Sequence, residues 1–281
     1  MNSDAANYEL LYSNRAAVPE FQSHFDSWAA KSELARRQLN VEIDVPYGDH
    51  RMETMDIFRP RGESRALLMF IHGGYWRSLD KKYHSFVAAP YVNAGATVAT
   101  VNYSLCPAVK VEDIVLQCLK AAAWLYRNTA EVEAPRNRIF VAGHSAGGHL
   151  AAMCLSAQWP RYSRGLPEKV VQGAVSVSGI YDLVPISRTP SINVDLRLTE
   201  AEAMKLSPAY MPPATKAPLL IAVGGREIGG FKEQHALIAN RWSQVLAGDI
   251  PCPEDNHFTI LNTFANAESA LCKATLRMMG L

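Results

Sequence analysis

A serine in a glycine-flanked turn is the residue in this chain best suited to covalent chemistry. Residues 143–147 read Gly-His-Ser-Ala-Gly, which is the G-x-S-x-G pattern of a nucleophile elbow. The apolar run 139–142 before it predicts a buried strand, and residues 149–155 after it are mostly good helix formers. A serine at such a strand-to-helix turn projects its hydroxyl from the end of the sheet. Ser145 is therefore the predicted nucleophile, and the N–H of Ala146 is a predicted oxyanion donor.

A second pair of glycines follows an earlier predicted strand. The continuous apolar run 66–71 has the composition of a strand buried on both faces, and residues 72–76 after it read His-Gly-Gly-Tyr-Trp. Adjacent glycines allow the backbone to turn its N–H groups toward a ligand. Alone, this motif is typical of an ordinary turn, but together with the downstream elbow it favours an oxyanion hole built from Gly73 and Gly74. His72 is expected to shape this loop and not to transfer protons.

A serine hydroxyl needs a histidine to accept its proton and a carboxylate to orient that histidine. In proteins with this elbow, the order along the chain is serine, acid, histidine. Two histidines lie well downstream of the elbow. His257 is the predicted base because it stands in a loop before the last predicted helix. His235 falls inside a predicted helix, where we expect it to face solvent.

The orienting acid is expected just after the predicted strand 219–223. Glu227 fits that position best, while Asp249 and Asp255 are less well placed and Asp182, after an earlier strand, is the next candidate. The predicted chemistry is acyl transfer through a covalent intermediate on the serine.

Metal chemistry is not indicated. His144 and His149 are five residues apart, a poor match to metal ligands on one helix face, and the sequence contains no H-E-x-x-H motif. The sequence therefore predicts no metal and no cofactor.

Composition limits the partners. Lys and Arg number 28 against 27 Asp and Glu, without a block of like charge, so neither nucleic acid nor an anionic membrane surface is predicted. The five cysteines are scattered without C-x-x-C spacing, and no stretch reaches about 18 apolar residues. With no signal-peptide pattern at the N-terminus, we expect a cytoplasmic protein without a membrane span. The expected partner is a small-molecule substrate, and a homodimer stays open.

Predicted strands alternate with predicted helices, which indicates one α/β domain, residues 1–281, around a doubly wound, mostly parallel sheet. Residues 39–45 and 52–58 predict an antiparallel hairpin, residues 249–252 a weak strand, and residues 259–279 one closing helix. The N-terminal arm, residues 1–38, contains a predicted helix that packs over the core or covers the site. Six prolines crowd residues 183–218, so residues 183–216 predict an insertion over the carboxyl ends of the strands.

Together these motifs resemble the arylformamidase (kynurenine formamidase) branch of the α/β-hydrolases, close to the hormone-sensitive-lipase-like esterases. The segments that carry the resemblance are residues 72–76, 143–150, 178–183, 223–231 and 257–258. The resemblance implies an α/β-hydrolase fold with a small lid from the arm and the insertion. It also implies cleavage of N-formylkynurenine, similar aryl formamides or small carboxylic esters.

The resemblance further implies an aromatic pocket lined by Tyr75, Trp76 and Tyr181, whose alternative role is packing under the lid. A non-catalytic binding protein of the same fold is the competing hypothesis, because fold does not fix function. The presence of a serine, an acid and a histidine in the expected order favours an enzyme. Hydrolysis of a thioester or carbamate stays open.

Overall fold

A sheet runs through the centre of the structure, a computed structural model that describes residues 3–281, with side chains from residue 6. In chain order its strands are β1 (Asn40–Pro46), β2 (Thr54–Arg59), β3 (Ala66–Ile71), β4 (Ala96–Val101), β5 (Ile139–His144), β6 (Gly173–Val177), β7 (Leu219–Ala222) and β8 (Leu246–Asp249). Within the described range these form one eight-stranded sheet in the order β1-β2-β4-β3-β5-β6-β7-β8. β2 is antiparallel to β1 and to β4, and the remaining pairs are parallel. The predicted α/β-hydrolase architecture is confirmed.

Helices flank the sheet and connect its strands. They are α1 (Ser3–Tyr12), α2 (Asn14–Ala17), α3 (Phe21–Gln38), α4 (Ala88–Asn93), α5 (Val111–Arg127), α6 (Ala146–Ser156), α7 (Trp159–Tyr162), α8 (Val184–Ser187), α9 (Pro190–Leu196), α10 (Glu200–Lys205), α11 (Gly229–Arg241), α12 (Ile260–Phe264) and α13 (Ala270–Met279). Short 3-10 turns stand at Lys81–Tyr83, Ser85–Val87 and Pro208–Tyr210. None of the helices in the described range combines the length and the hydrophobicity needed to cross a bilayer.

The core lies in two apolar layers, one on each face of the sheet. All six residues of β3 are buried because helices cover both faces, which explains its unbroken apolar sequence. Alternate side chains serve opposite layers: Leu67 and Met69 join one cluster, while Leu68 and Phe70 join the other. Because parallel strands end at one edge, the loops after β3, β5, β6 and β7 converge there.

Two predicted elements near the C-terminus are wrong in extent. The single closing helix is two helices, because the chain breaks at residues 265–269 and Ser269 restarts it by accepting the N–H of Cys272 at 3.0 Å. The weak strand forms earlier, as β8, and Cys252 makes only an isolated bridge with Gly224. The preceding helix, α11, ends at Arg241, and Leu246 begins β8.

A buried lysine anchors the loop that follows β3. The side chain of Lys81 is 6% exposed, and its Nζ donates to Asp44 Oδ1 at 2.7 Å and to the buried carboxylate of Asp56. Its backbone N–H donates to Asn102 Oδ1 at 3.2 Å. These bonds tie the loop to the β1–β2 hairpin and to the end of β4.

Substituting Lys81→Met would leave the Asp56 carboxylate buried without its cation, so we expect the free energy of unfolding to fall by about 3–5 kcal/mol. The neighbouring substitution Lys82→Met provides the control, because Lys82 is exposed and should cost less than about 1 kcal/mol. Chemical denaturation of both variants measures the difference. Equal losses for the two variants would contradict the role given to Lys81.

Candidate active site

The predicted nucleophile stands at the sharp turn between β5 and α6. Ser145 has φ 57° and ψ −119°, a sparsely populated conformation for a residue with a side chain. Its N–H donates to Val177 O at 2.9 Å, which fixes the turn to the end of β6. Ser145 lines a small cavity of about 80 Å³ at the carboxyl edge of the sheet.

Two glycines allow this turn to form. A Cβ on Gly143 would lie 2.0 Å from Gly147 O, and one on Gly147 would lie 2.0 Å from Ile71 O. Both distances are far inside van der Waals contact with backbone atoms. The start of α6 can therefore pass over the end of β3 only because these positions lack side chains.

The predicted base and acid are paired. His257 Nδ1 lies 2.6 Å from Glu227 Oε2, and both side chains are almost fully buried. Glu227 Oε1 accepts the hydroxyl of Ser178 at 2.5 Å and the N–H of Gly224 at 2.8 Å. With Nδ1–H donating to the carboxylate, the imidazole keeps Nε2 available as a proton acceptor.

Ser145 and His257 line the same cavity, although Ser145 Oγ makes no hydrogen bond to His257 among the described residues. Catalytic hydrogen bonds of this kind are often long before substrate binds. The role of Ser178 was not predicted from the sequence. The signal was a small polar residue directly after a buried strand, at the edge where the other site residues also lie.

The two glycines after β3 lie beside the nucleophile. A Cβ on Gly73 would lie 3.0 Å from the Cβ of Ser145, and Gly74 adopts φ +112°. Within residues 3–281, the N–H groups of Gly73, Gly74 and Ala146 have no hydrogen-bond acceptor. Tyr103 Oη donates to His72 O at 2.8 Å and so braces the loop. The arrangement leaves these N–H groups of the loop and of the residue after Ser145 free to bind a ligand.

The predicted aromatic pocket needs correction. Tyr75 lines the cavity, and its hydroxyl donates to Tyr12 O at 2.6 Å. Trp76 and Tyr181 do not line it, because both are fully buried in the core. Trp76 packs edge-on against His149 with ring centroids 5.1 Å apart, and the hydroxyl of Tyr181 donates to Ser176 Oγ at 2.7 Å.

The aromatic wall comes mainly from elsewhere. Phe25 and Trp28 of α3, Tyr12 of α1 and Phe258 line the cavity together with Tyr75. The sequence predicts that the N-terminal arm packs over the core or covers the site, but it does not assign residues of the arm to the pocket.

The other acids considered from the sequence have different partners. Asp182 accepts from the N–H of Val184, and Asp255 accepts from the hydroxyl of Thr263. Asp249 lies 2.9 Å from His235 Nε2. The side chain of His235 is only 12% exposed, so the expectation that it faces solvent is wrong; Asp249, its partner, belongs to the edge strand β8.

The two histidines near the serine are buried, neutral side chains that donate hydrogen bonds to backbone carbonyls. Burial, followed by the nearby His257 and His84, holds the pKa of His144 well below its usual range, and its Nε2–H donates to His257 O at 2.8 Å. Burial lowers the pKa of His149 to about 4, and its Nε2–H donates to Leu206 O at 2.7 Å. Among the described residues, no group of three or more His, Cys, Asp or Glu side chains is placed to hold a metal ion.

Comparison with known proteins gives matches over most of the chain. A family model described as the alpha/beta hydrolase fold matches residues 68–243. The kynurenine formamidase of Salmo salar is 31% identical over 296 residues, covering 100% of this chain and 97% of the relative. The esterase LipC of Mycobacterium tuberculosis is 31% identical over 153 residues, covering 53% of this chain and 38% of the relative. A crystal structure of a provisionally assigned thioesterase from Silicibacter sp. TM1040 shares 30% identity and a TM-score of 0.84, covering 94% of this chain and 96% of that one.

The glycine contacts generate a stability prediction. In Gly147→Ala, the new methyl group would meet the Ile71 carbonyl, so we expect a loss of several kcal/mol, at or above the roughly 1–3 kcal/mol of ordinary overpacking. Gly62→Ala is the control, since apart from Gly62 and its chain neighbours no atom of the described residues lies within 4 Å of the place that its Cβ would take, and its effect should stay within about 0.5 kcal/mol. Thermal and chemical unfolding test both. Similar stabilities of the two variants would contradict the close-packing argument.

The buried histidines generate a pH prediction. An unfolded imidazole binds a proton near pH 6.5, whereas folded His149 does so only near pH 4, so the unfolded state binds more protons in that window. Stability contributed by the neutral ring is thus complete above about pH 6.5 and is lost as the pH falls toward 4. In His149→Gln, the slope of the free energy of unfolding against pH should decrease by about 1.4 kcal/mol per pH unit, which is the contribution of one proton. Slopes that coincide for wild type and variant would refute it.

Proposed function

We propose that this chain, which belongs to the α/β-hydrolase family and is a formamide or ester hydrolase, cleaves N-formylkynurenine or a related aryl formamide. Ser145, His257 and Glu227 are its catalytic triad in this proposal. The observation that carries it is the buried pairing of His257 with Glu227 beside the cavity that Ser145 faces. The match to a kynurenine formamidase along the whole chain supports a formamide substrate, whereas the match to the esterase LipC covers 53% of the chain.

The first half of the reaction forms an acyl-enzyme. Ser145 Oγ attacks the formamide carbon while His257 Nε2 takes the hydroxyl proton, and Glu227 stabilises the imidazolium through Nδ1–H. The N–H groups of Gly73, Gly74 and Ala146 donate hydrogen bonds to the developing oxyanion. His257 then passes its proton to the arylamine nitrogen, the C–N bond breaks, and the formyl group remains on the serine.

The second half regenerates the enzyme. A water molecule enters the space left by the arylamine and gives one proton to His257 Nε2 as its oxygen attacks the formyl-serine. The same backbone donors stabilise the second oxyanion. When the intermediate collapses, His257 returns the proton to Ser145 Oγ and formate leaves. Small carboxylic esters and thioesters would follow the same steps with an alcohol or thiol leaving group.

The arm and the insertion act as a lid in this proposal, within a single domain. Tyr12 and Trp28 from the arm line the cavity together with Ser191 and Ile192 from α9. Ser191 donates from its N–H to Glu9 Oε1 at 2.7 Å, which joins the two segments directly. The cavity beneath them has the size of a small molecule's reactive portion and would exclude most water during the reaction.

The triad is tested with variants and an active-serine probe. Ser145→Ala should abolish labelling by a fluorophosphonate and lower kcat at least about 1000-fold, and Glu227→Gln should lower kcat by about 100- to 10000-fold. N-formylkynurenine and 4-nitrophenyl acetate serve as substrates. The control for the acid is Glu254→Gln, because Glu254 is exposed and pairs with Arg226.

A wild-type protein that neither labels nor hydrolyses either substrate would instead support the non-catalytic binding protein. Full activity in Ser145→Ala would eliminate the acyl-enzyme mechanism. Activity on 4-nitrophenyl acetate alone would retain the triad and reject the formamide substrate.

A further inference from the structure

Two polar side chains of the N-terminal arm line the cavity without a matching partner. Asn14 is 5% exposed, and its Nδ2 has no hydrogen-bond partner among the described residues. Its neighbour Arg15 has no carboxylate within 4.0 Å in the described part of the chain; its one hydrogen bond there goes to Ser78 Oγ at 3.3 Å. A buried amide donor without an acceptor costs about 1–3 kcal/mol, so its position calls for an explanation.

The other charges around the cavity are compensated. Arg77 is neutralised by Asp195 Oδ2 at 2.7 Å, and the carboxylate of Glu227 is engaged by His257. Glu9, on α1, is occupied by hydrogen bonds from Ser191. Arg15 therefore supplies the one uncompensated charge among the residues described as lining the cavity.

The surroundings hold the Arg15 guanidinium in place. It lies over the rings of Phe21 and Phe25, with 5.2 and 5.7 Å from Cζ to the ring centroids. Arg15 is an exposed residue overall, but partial burial of its guanidinium, followed by repulsion from Arg77, lowers its pKa. An anion that enters the cavity could form a charge-assisted hydrogen bond with Arg15. This bond would replace the lost solvation of the guanidinium and offset the repulsion from Arg77.

We propose that Asn14 and Arg15 form a carboxylate-binding subsite, which makes the enzyme selective for aryl formamides that carry a carboxylate away from the scissile bond. Asn14 Nδ2 and the Arg15 guanidinium both donate to that carboxylate, while Phe25, Trp28 and Phe258 enclose the ring. The inference rests on the proposed function, since it assigns the orientation of substrate in the Ser145 cavity.

The test uses matched ligands that differ only at the carboxylate. L-kynurenine and its α-carboxamide compete with a fluorophosphonate for the cavity, and the slowing of Ser145 labelling gives a dissociation constant for each. N-formylkynurenine and its α-carboxamide give the corresponding kcat/KM values. We expect the carboxylate form to be favoured by about 10- to 100-fold, the range for a hydrogen bond to a charged group.

Arg15→Gln should reduce that preference to within about threefold, by raising KM for the carboxylate substrate with little change in kcat. The kcat and KM values for the carboxamide substrate should stay the same. The matched control is Arg37→Gln, on the same arm but 74% exposed and paired with Glu33, which should leave the preference intact. Asn14→Asp provides an independent variant: the new carboxylate would pair with Arg15 and repel the ligand, again removing the preference.

Equal binding of the two ligands by the wild type would overturn the inference, and so would equal losses for both ligands in Arg15→Gln. Neither result touches the proposed function, because fluorophosphonate labelling of Ser145 would continue. Absence of labelling in the wild type would instead remove the proposed function, and this inference with it.

Discussion

The site depends on the close approach of α6 to the end of β3. Helix and strand meet there backbone to backbone, with Gly147 against the carbonyl of Ile71. This contact holds Ser145 in its unfavourable backbone conformation and brings the Gly73–Gly74 loop against the serine. A single packing constraint thus places Ser145 and the glycines of this loop together. The strain at one residue is sustained by the two buried layers of the sheet, which leave the turn no room to relax.

The charge of the buried Glu227 carboxylate has to be stabilised by groups of the protein. The Glu227 carboxylate loses its hydration, and three donors replace it: the hydroxyl of Ser178, the N–H of Gly224 and Nδ1 of His257. A buried charge is tolerable only with such a set. His144 lies beside His257, with ring centroids 4.7 Å apart, yet its depressed pKa keeps it uncharged. It can therefore hold the backbone of His257 by a hydrogen bond without competing for Glu227.

The sheet and the convergence of the site residues could be predicted from the sequence because both depend on local patterns. Apolar runs such as Ala66–Ile71 show complete burial, and glycines after such runs show where the backbone must turn. The break between α12 and α13 was not predicted, since a serine N-cap inside a helix-like sequence is a weak local signal. Trp76 and Tyr181 were misplaced for a different reason. A loop next to the site can turn an aromatic ring either toward the cavity or into the core, and only packing decides which.

The residues that form the cavity wall could not be identified from local sequence patterns. Phe25 and Trp28 lie on α3, more than 100 residues before Ser145, and their spacing is that of any helix packed on a core. The sheet thus carries the chemical groups, while segments outside it decide what reaches them. Arm and insertion are joined to each other through Glu9 and Ser191 and reach the sheet through the loop after β3, where Tyr75 bonds to Tyr12. Changes in the arm can therefore alter which molecules fit without disturbing the glycine contact that positions the serine.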